Sequence, residues 1–159
     1  MKCFRKVVDS EMSFTPGLNV IRGANEGSKT TRLEAVAYAL FGAKVLRSSL
    51  AECVTWTYKE SDLSVSLVIT ISGIEYTFTR SARGAECNYA GGKVVGQDQV
   101  SSFASDLLGA DAKTASVLML ASQNDLRGIL DGGSSAISNL MSKLANADLI
   151  DTLLTRAEN

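Results

Sequence analysis

One stretch of the sequence combines residue types and spacing that could do chemistry: Gly23-Ala24-Asn25-Glu26-Gly27-Ser28-Lys29-Thr30. It follows the phosphate-binding pattern G-x-x-x-x-G-K-[ST] at every position but one. In such a loop successive backbone N–H groups converge on one concavity, and the positive end of the following helix adds to their pull on phosphate oxygens. Lys29 would neutralise the β- and γ-phosphates of a nucleotide, and the Thr30 hydroxyl would sit on Mg²⁺. The exception is Ser28, which stands where glycine normally precedes the lysine. A Cβ at that place strains the backbone or crowds a phosphate unless Gly27 compensates. The competing reading is a glycine turn that only joins a strand to a helix.

The pattern has meaning only between a strand and a helix, and the flanking residues supply both. Pro16-Gly17 is turn chemistry, and Leu18-Asn19-Val20-Ile21 then reads as a short buried strand. After the loop, Leu33, Val36, Ala37, Leu40 and Phe41 recur at helical spacing, and Gly42 closes the run. The opening stretch through Val8 is apolar enough for another strand. Further on the period falls to two: Leu63, Val65, Leu67 and Ile69, then Ser72-Gly73, then Ile74, Tyr76 and Phe78 predict an antiparallel hairpin over 62–80. Gly91-Gly92 marks a second turn before Val94-Val95. The helical period returns from Val100 to Leu108, ending at Gly109, and again over Ala112 to Leu120 and Ile137 to Leu144. Asp148 caps a last predicted helix, 148–159, which reaches Asn159 without a stop signal.

Composition narrows the chemistry. At 159 residues, with 45% hydrophobic and 21% charged, the chain reads as one ordinary globular domain. It has no histidine, which removes Ser-His and Cys-His nucleophiles and histidine-ligated metals. A net charge of −1 argues against a globally basic nucleic-acid binder. Lys44, Arg47 and Lys59 could form a local DNA-facing surface, with solvated surface charge as the default reading. Cys3, Cys53 and Cys87 form no C-x-x-C pair, so reduced thiols of an intracellular (cytoplasmic) protein are expected. The longest apolar run, Ala35 to Phe41, is too short to span a bilayer, and no signal peptide precedes it.

The motif resembles more than a generic phosphate loop. Phe14-x-x-Gly17-x-Asn19-x-Ile21-x-Gly23-x-Asn25 runs into Lys29-Thr30-Thr31 and then Leu33-x-Ala35-x-x-x-Ala39-Leu40-Phe41-Gly42. This is similar to the start of SbcC-type ATPases, the SMC-like DNA double-strand-break repair ATPases of bacteria, phages, archaea and eukaryotes. Tyr76-x-Phe78-x-Arg80 is similar to the family's second sheet. Leu107-Leu108-Gly109 followed by Leu118-x-Leu120-x-x-Gln123 resembles the stretch that delivers its Q-loop glutamine.

The resemblance implies an α/β P-loop NTPase fold: the N-terminal lobe of an ABC-type ATPase head, with an antiparallel sheet and a terminal helix leading into a coiled coil. On that basis residues 1–146 form the lobe and 147–159 begin the coiled coil, although periodicity alone fits a terminal core helix equally well. The resemblance further implies ATP and Mg²⁺ as cofactors. Gly23 to Gly27, Ser28, Lys29, Thr30 and Thr31 would hold the nucleotide, Thr30 and Gln123 the metal, and Lys29 and Gln123 would serve catalysis. Phe4-Arg5 resembles a stretch whose arginine touches nucleotide, which would make Arg5 a further ligand; a solvated arginine beside Lys6 fits the local sequence as well. Implied partners are the C-terminal lobe of the same protein, a second head, an SbcD-type nuclease and DNA.

Two absences matter. Leu130-Asp131-Gly132-Gly133-Ser134 lies too soon after Gln123 to be a signature motif and reads as a turn with a helix cap. No apolar strand ending in a Walker B acid follows the loop, since Leu67-Val68-Ile69 runs into Thr70 and Val117 to Ala121 into Ser122. The expectation is therefore a nucleotide-binding half that does not hydrolyse ATP unaided. A complete small P-loop phosphotransferase and a non-hydrolysing or structural partner protein are the alternatives.

Overall fold

The computed structural model describes residues 1–24, 28–46, 48–115 and 138. The chain divides into two compact units, Met1–Ala112 and Lys113–Asn159. The first holds a six-stranded antiparallel sheet of β1 (Lys2–Phe4), β2 (Val7–Asp9), β3 (Ser64–Ile71), β4 (Ile74–Ser81), β5 (Gly84–Tyr89) and β6 (Gly92–Val95), in the order β2-β1-β3-β4-β5-β6. The α-helices are α1 (Lys29–Phe41), α2 (Leu50–Cys53), α3 (Gln97–Leu108) and α4 (Ala112–Ala115). Beyond Ala115 the predicted helices lie outside the described residues, save for helical Ser138.

The predicted hairpin is present as β3 and β4, paired from Ser64↔Ser81 to Ile71↔Ile74. Its two-residue turn works because Ser72 and Gly73 both take positive φ, 52° and 79°, which matches the twist of the strands. Alternation sends Val65, Phe78, Arg80, Ala85 and Cys87 to one buried face. Along that face Tyr76 stacks on Tyr89 and Tyr89 on Phe103 of α3, with ring centroids 5.4 and 5.2 Å apart.

Three expectations are corrected. The opening strand is a hairpin, because Arg5 turns the chain with φ 53° and Phe4 then faces Val7. No glycine or asparagine announced that turn. Leu18 to Ile21 forms no strand: Leu18 is 91% and Val20 64% exposed. A strand needs a hydrogen-bonding neighbour, and none of the described strands lies beside this segment. Asn19 instead ties the loop, its Nδ2 donating to Thr15 O at 2.7 Å and its Oδ1 accepting from Thr15 N at 3.1 Å. The third correction concerns the inner face of α1. Leu33 is exposed and Val36 half-buried, while Ala37, Leu40 and Phe41 are buried as the spacing predicts; Ala35, Tyr38 and Ala39 are buried as well, in one cluster with Phe4, Cys53, Leu63 and Val65. Small alanines beside one aromatic let the helix lie close to the sheet, with Phe4 and Tyr38 ring centroids 5.3 Å apart.

Arg80 fixes the far end of α1. It is 2% exposed, and it donates from Nε to Ala39 O at 3.2 Å and from Nη2 to Leu40 O at 3.0 Å. These are carbonyls that the helix end leaves without partners, at the negative end of its dipole. The same guanidinium donates to the Gln97 side-chain oxygen and to Ser101 Oγ, so it also ties α1 to the start of α3. Gly42 leaves α1 with φ 81°, and a Cβ there would stand 3.1 Å from Arg80 Nη1.

Candidate functional site

The loop and the first turn of α1 form the site. Ser28 precedes the helix in the left-handed region, φ 58° and ψ 23°, and its side chain caps nothing. This is the conformation that explains why glycine usually holds the position, and here a serine adopts it. Lys29 follows as the first helical residue. Its Nζ reaches back over the loop and donates to Gly23 O at 2.8 Å and to Ala24 O at 2.5 Å. Gly23, Ala24, Ser28 and Lys29 thus lie together at the start of α1.

Among the described residues no acidic side chain lies in the first turn of α1, whose leading N–H groups stand at the positive end of the helix dipole. Thr30 is exposed, as a metal-facing hydroxyl requires, whereas Thr31 is buried. An ammonium held by backbone carbonyls, leading helix amides and an exposed hydroxyl suit a nucleotide polyphosphate with Mg²⁺. Asn25, Glu26, Gly27 and Gln123 lie outside the described residues.

Arg5 does not stand solvated beside Lys6. Its Nε lies 3.2 Å from Glu34 Oε2 of α1, an ion pair without hydrogen-bond alignment, and its Nη2 donates to Ser48 Oγ at 3.0 Å. Arg32 of α1 similarly donates to Ser10 Oγ at 2.9 Å. Glu34 and Ser48 were missed in the sequence because their role depends on contacts far apart along the chain. The one local signal was that α1 carries a carboxylate at Glu34 beside its apolar positions.

Lys44 and Lys59 are exposed, and Arg47 lies outside the described residues. Cys3, Cys53 and Cys87 are buried free thiols, and burial pushes the pKa of Cys53 and Cys87 up, which suppresses thiolate chemistry. Among the described residues no cluster of three His, Cys, Asp or Glu could hold a metal, and no helix is long and apolar enough to cross a membrane.

Comparison with known proteins adds to this geometry. A family model described as AAA domain matches residues 1–158. The chain is 33% identical over 84 residues to the DNA double-strand break repair Rad50 ATPase of Archaeoglobus fulgidus, a stretch that is 53% of this chain and 9% of that relative. It is 38% identical over 52 residues to the protein of the same name from Halobacterium salinarum, 33% of this chain and 6% of the relative. The matched stretches therefore span less than a tenth of either relative. The resemblance to SbcC-type ATPases is borne out, and with it an α/β P-loop fold that contains an antiparallel sheet. The chain belongs to the AAA domain family, as an N-terminal lobe of the SbcC/Rad50 kind.

Proposed function

We propose that this chain is the ATP-binding half of an SMC-like DNA repair ATPase head, active in hydrolysis only when a C-terminal lobe completes it. The observation that carries the reading is Lys29, whose ammonium is held by Gly23 O and Ala24 O at the start of α1. The family match and the names of the two relatives support ATP with Mg²⁺ as the ligand and double-strand-break repair as the setting.

In this reading Gly23 to Ser28, Lys29 and the helix amides hold the phosphates, and Arg5, steadied by Glu34, lies ready as a further contact. Thr31 extends the nucleotide set. Thr30 and Gln123 hold the metal, and Lys29 and Gln123 serve catalysis. Bound Mg²⁺ would screen the phosphate charge, while the base that activates water belongs to the other lobe. The exposed apolar side chains of Phe14, Leu18 and Val20 support such a lobe, because they suit a strand that pairs only when a neighbour is supplied. Two heads would then close around nucleotide, regulate an SbcD-type nuclease on DNA ends, and work inside the cell. Residues 147–159 would begin the coiled coil that joins the two lobes.

Ser28 favours one other reading, a nucleotide-binding partner that does not hydrolyse. Binding of ATP measured by calorimetry with and without Mg²⁺ tests the proposal. Mg²⁺-dependent binding should fall at least tenfold in Lys29→Ala, the loss of one charge-assisted contact. Binding that is indifferent to Lys29 would overturn it, and turnover by the chain alone would remove the need for a second lobe.

A further inference from the structure

Arg5 carries a charge whose bonding is incomplete. Its Nε is buried and stands 3.2 Å from Glu34 Oε2, yet no hydrogen bond is aligned there. The strong form of such a pair has two parallel N–H···O bonds between guanidinium and carboxylate. Arg5 and Glu34 have the charge attraction without that alignment. Ser48 Oγ accepts from Nη2 at 3.0 Å, a contact with a neutral group.

The backbone beneath is fixed. Arg5 turns β1 into β2, and its N–H donates to Cys53 O at 2.7 Å. The side chain keeps room to move, since 26% of it is exposed, as is 30% of Glu34. Glu52 of α2 also feels the Arg5 charge, but its carboxylate accepts from Ser49 N–H at 2.6 Å in capping that helix. Glu34 is the carboxylate in contact.

Helix geometry puts the pair beside the phosphate site. Glu34 follows Thr30 by one turn of α1, so both lie on one face. Helical side chains lean toward the N-terminus, so the Glu34 carboxylate, with Arg5 on it, covers the turn that holds Thr30. A polyphosphate bound at Lys29 and Thr30 brings the same guanidinium oxygens of higher charge, able to meet it with two bonds. The carboxylate meanwhile repels that ligand. We infer, on the nucleotide reading proposed above, that Glu34 is a competitor built into the site. It holds Arg5 until a nucleotide phosphate takes the guanidinium over, and it thereby lowers the affinity for ATP.

Calorimetry of the full chain with ATP and Mg²⁺ tests this through a double-mutant cycle of Arg5→Gln and Glu34→Gln. Glu34→Gln keeps the shape and removes the charge, and should tighten ATP binding roughly two- to fivefold, the worth of one partly exposed ion pair. In the Arg5→Gln background the same change should give a clearly smaller gain. If Glu34→Gln fails to match the parent by circular dichroism, Ser48→Ala, which cuts the other tether, takes its place and should also tighten binding. Weaker or unchanged binding would overturn the inference. So would an equal gain with and without Arg5, which would leave Glu34 as a source of repulsion only. Lys29→Ala separates the two levels. Binding that ignores Lys29 removes the nucleotide reading itself, whereas binding that needs Lys29 and ignores Glu34 removes the competitor alone.

Discussion

At the scale of the residue, Ser28 and Lys29 decide how the loop behaves. Ser28 holds a left-handed backbone without a side-chain bond in return. A non-glycine residue in that region costs about 1 kcal/mol, so Ser28→Gly should raise stability by about that amount in urea denaturation. It should also tighten ATP binding if the Cβ crowds a phosphate. Stability that stays level or falls would show that the serine is not strained. The glycine and lysine spacing made this loop legible in the sequence, because phosphate chemistry fixes residue types at fixed intervals. Arg5 was only half legible. The pairing that holds it half-buried comes from Glu34 and Ser48, which no local pattern connects to it.

At the scale of the element, α1 is set by what meets its two ends. Its C-terminal carbonyls rest on Arg80, and Gly42 makes room for that guanidinium while turning the chain at φ 81°. Gly42→Ala adds both a strained backbone and a Cβ at 3.1 Å from Arg80, and should lower stability by roughly 1–3 kcal/mol in thermal or urea unfolding. An unchanged midpoint would mean that the helix end shifts freely. Gly42 was readable as a helix stop, since glycine after a periodic run is a reliable signal. Arg80 was readable as a family position but not as a buried helix cap. Its partners Ala39, Leu40, Gln97 and Ser101 lie on two helices, α1 and α3, distant from β4 in the chain. The period-two runs gave β3 and β4 almost to the residue. Leu18 to Ile21 failed because an apolar run states an appetite for a strand, while a strand exists only beside another.

At the scale of the whole molecule, the core that joins sheet and helix also sets an alkaline limit. Tyr38 is 1% exposed, and burial pushes its phenol from 10.0 up to about 12. The neutral form is favoured in the fold, so this contribution is complete below pH 10 and is lost as pH rises through about 12. Stability measured by urea should therefore fall with pH across that window, and Tyr38→Phe should flatten the fall. An equally steep decline in that variant would place the cause elsewhere.

The strand order carries a kinetic consequence. From β3 to β6 each strand pairs with the next across a short turn, so these contacts close quickly, whereas β1 must find β3 across the whole intervening stretch that contains the phosphate loop and α1. Closing a long loop is the slow step in reaching such a topology. In refolding, the meander should form first and serve as the template on which Lys2 meets Ser64. The phosphate loop, strung between the two, becomes competent only as that last seam closes.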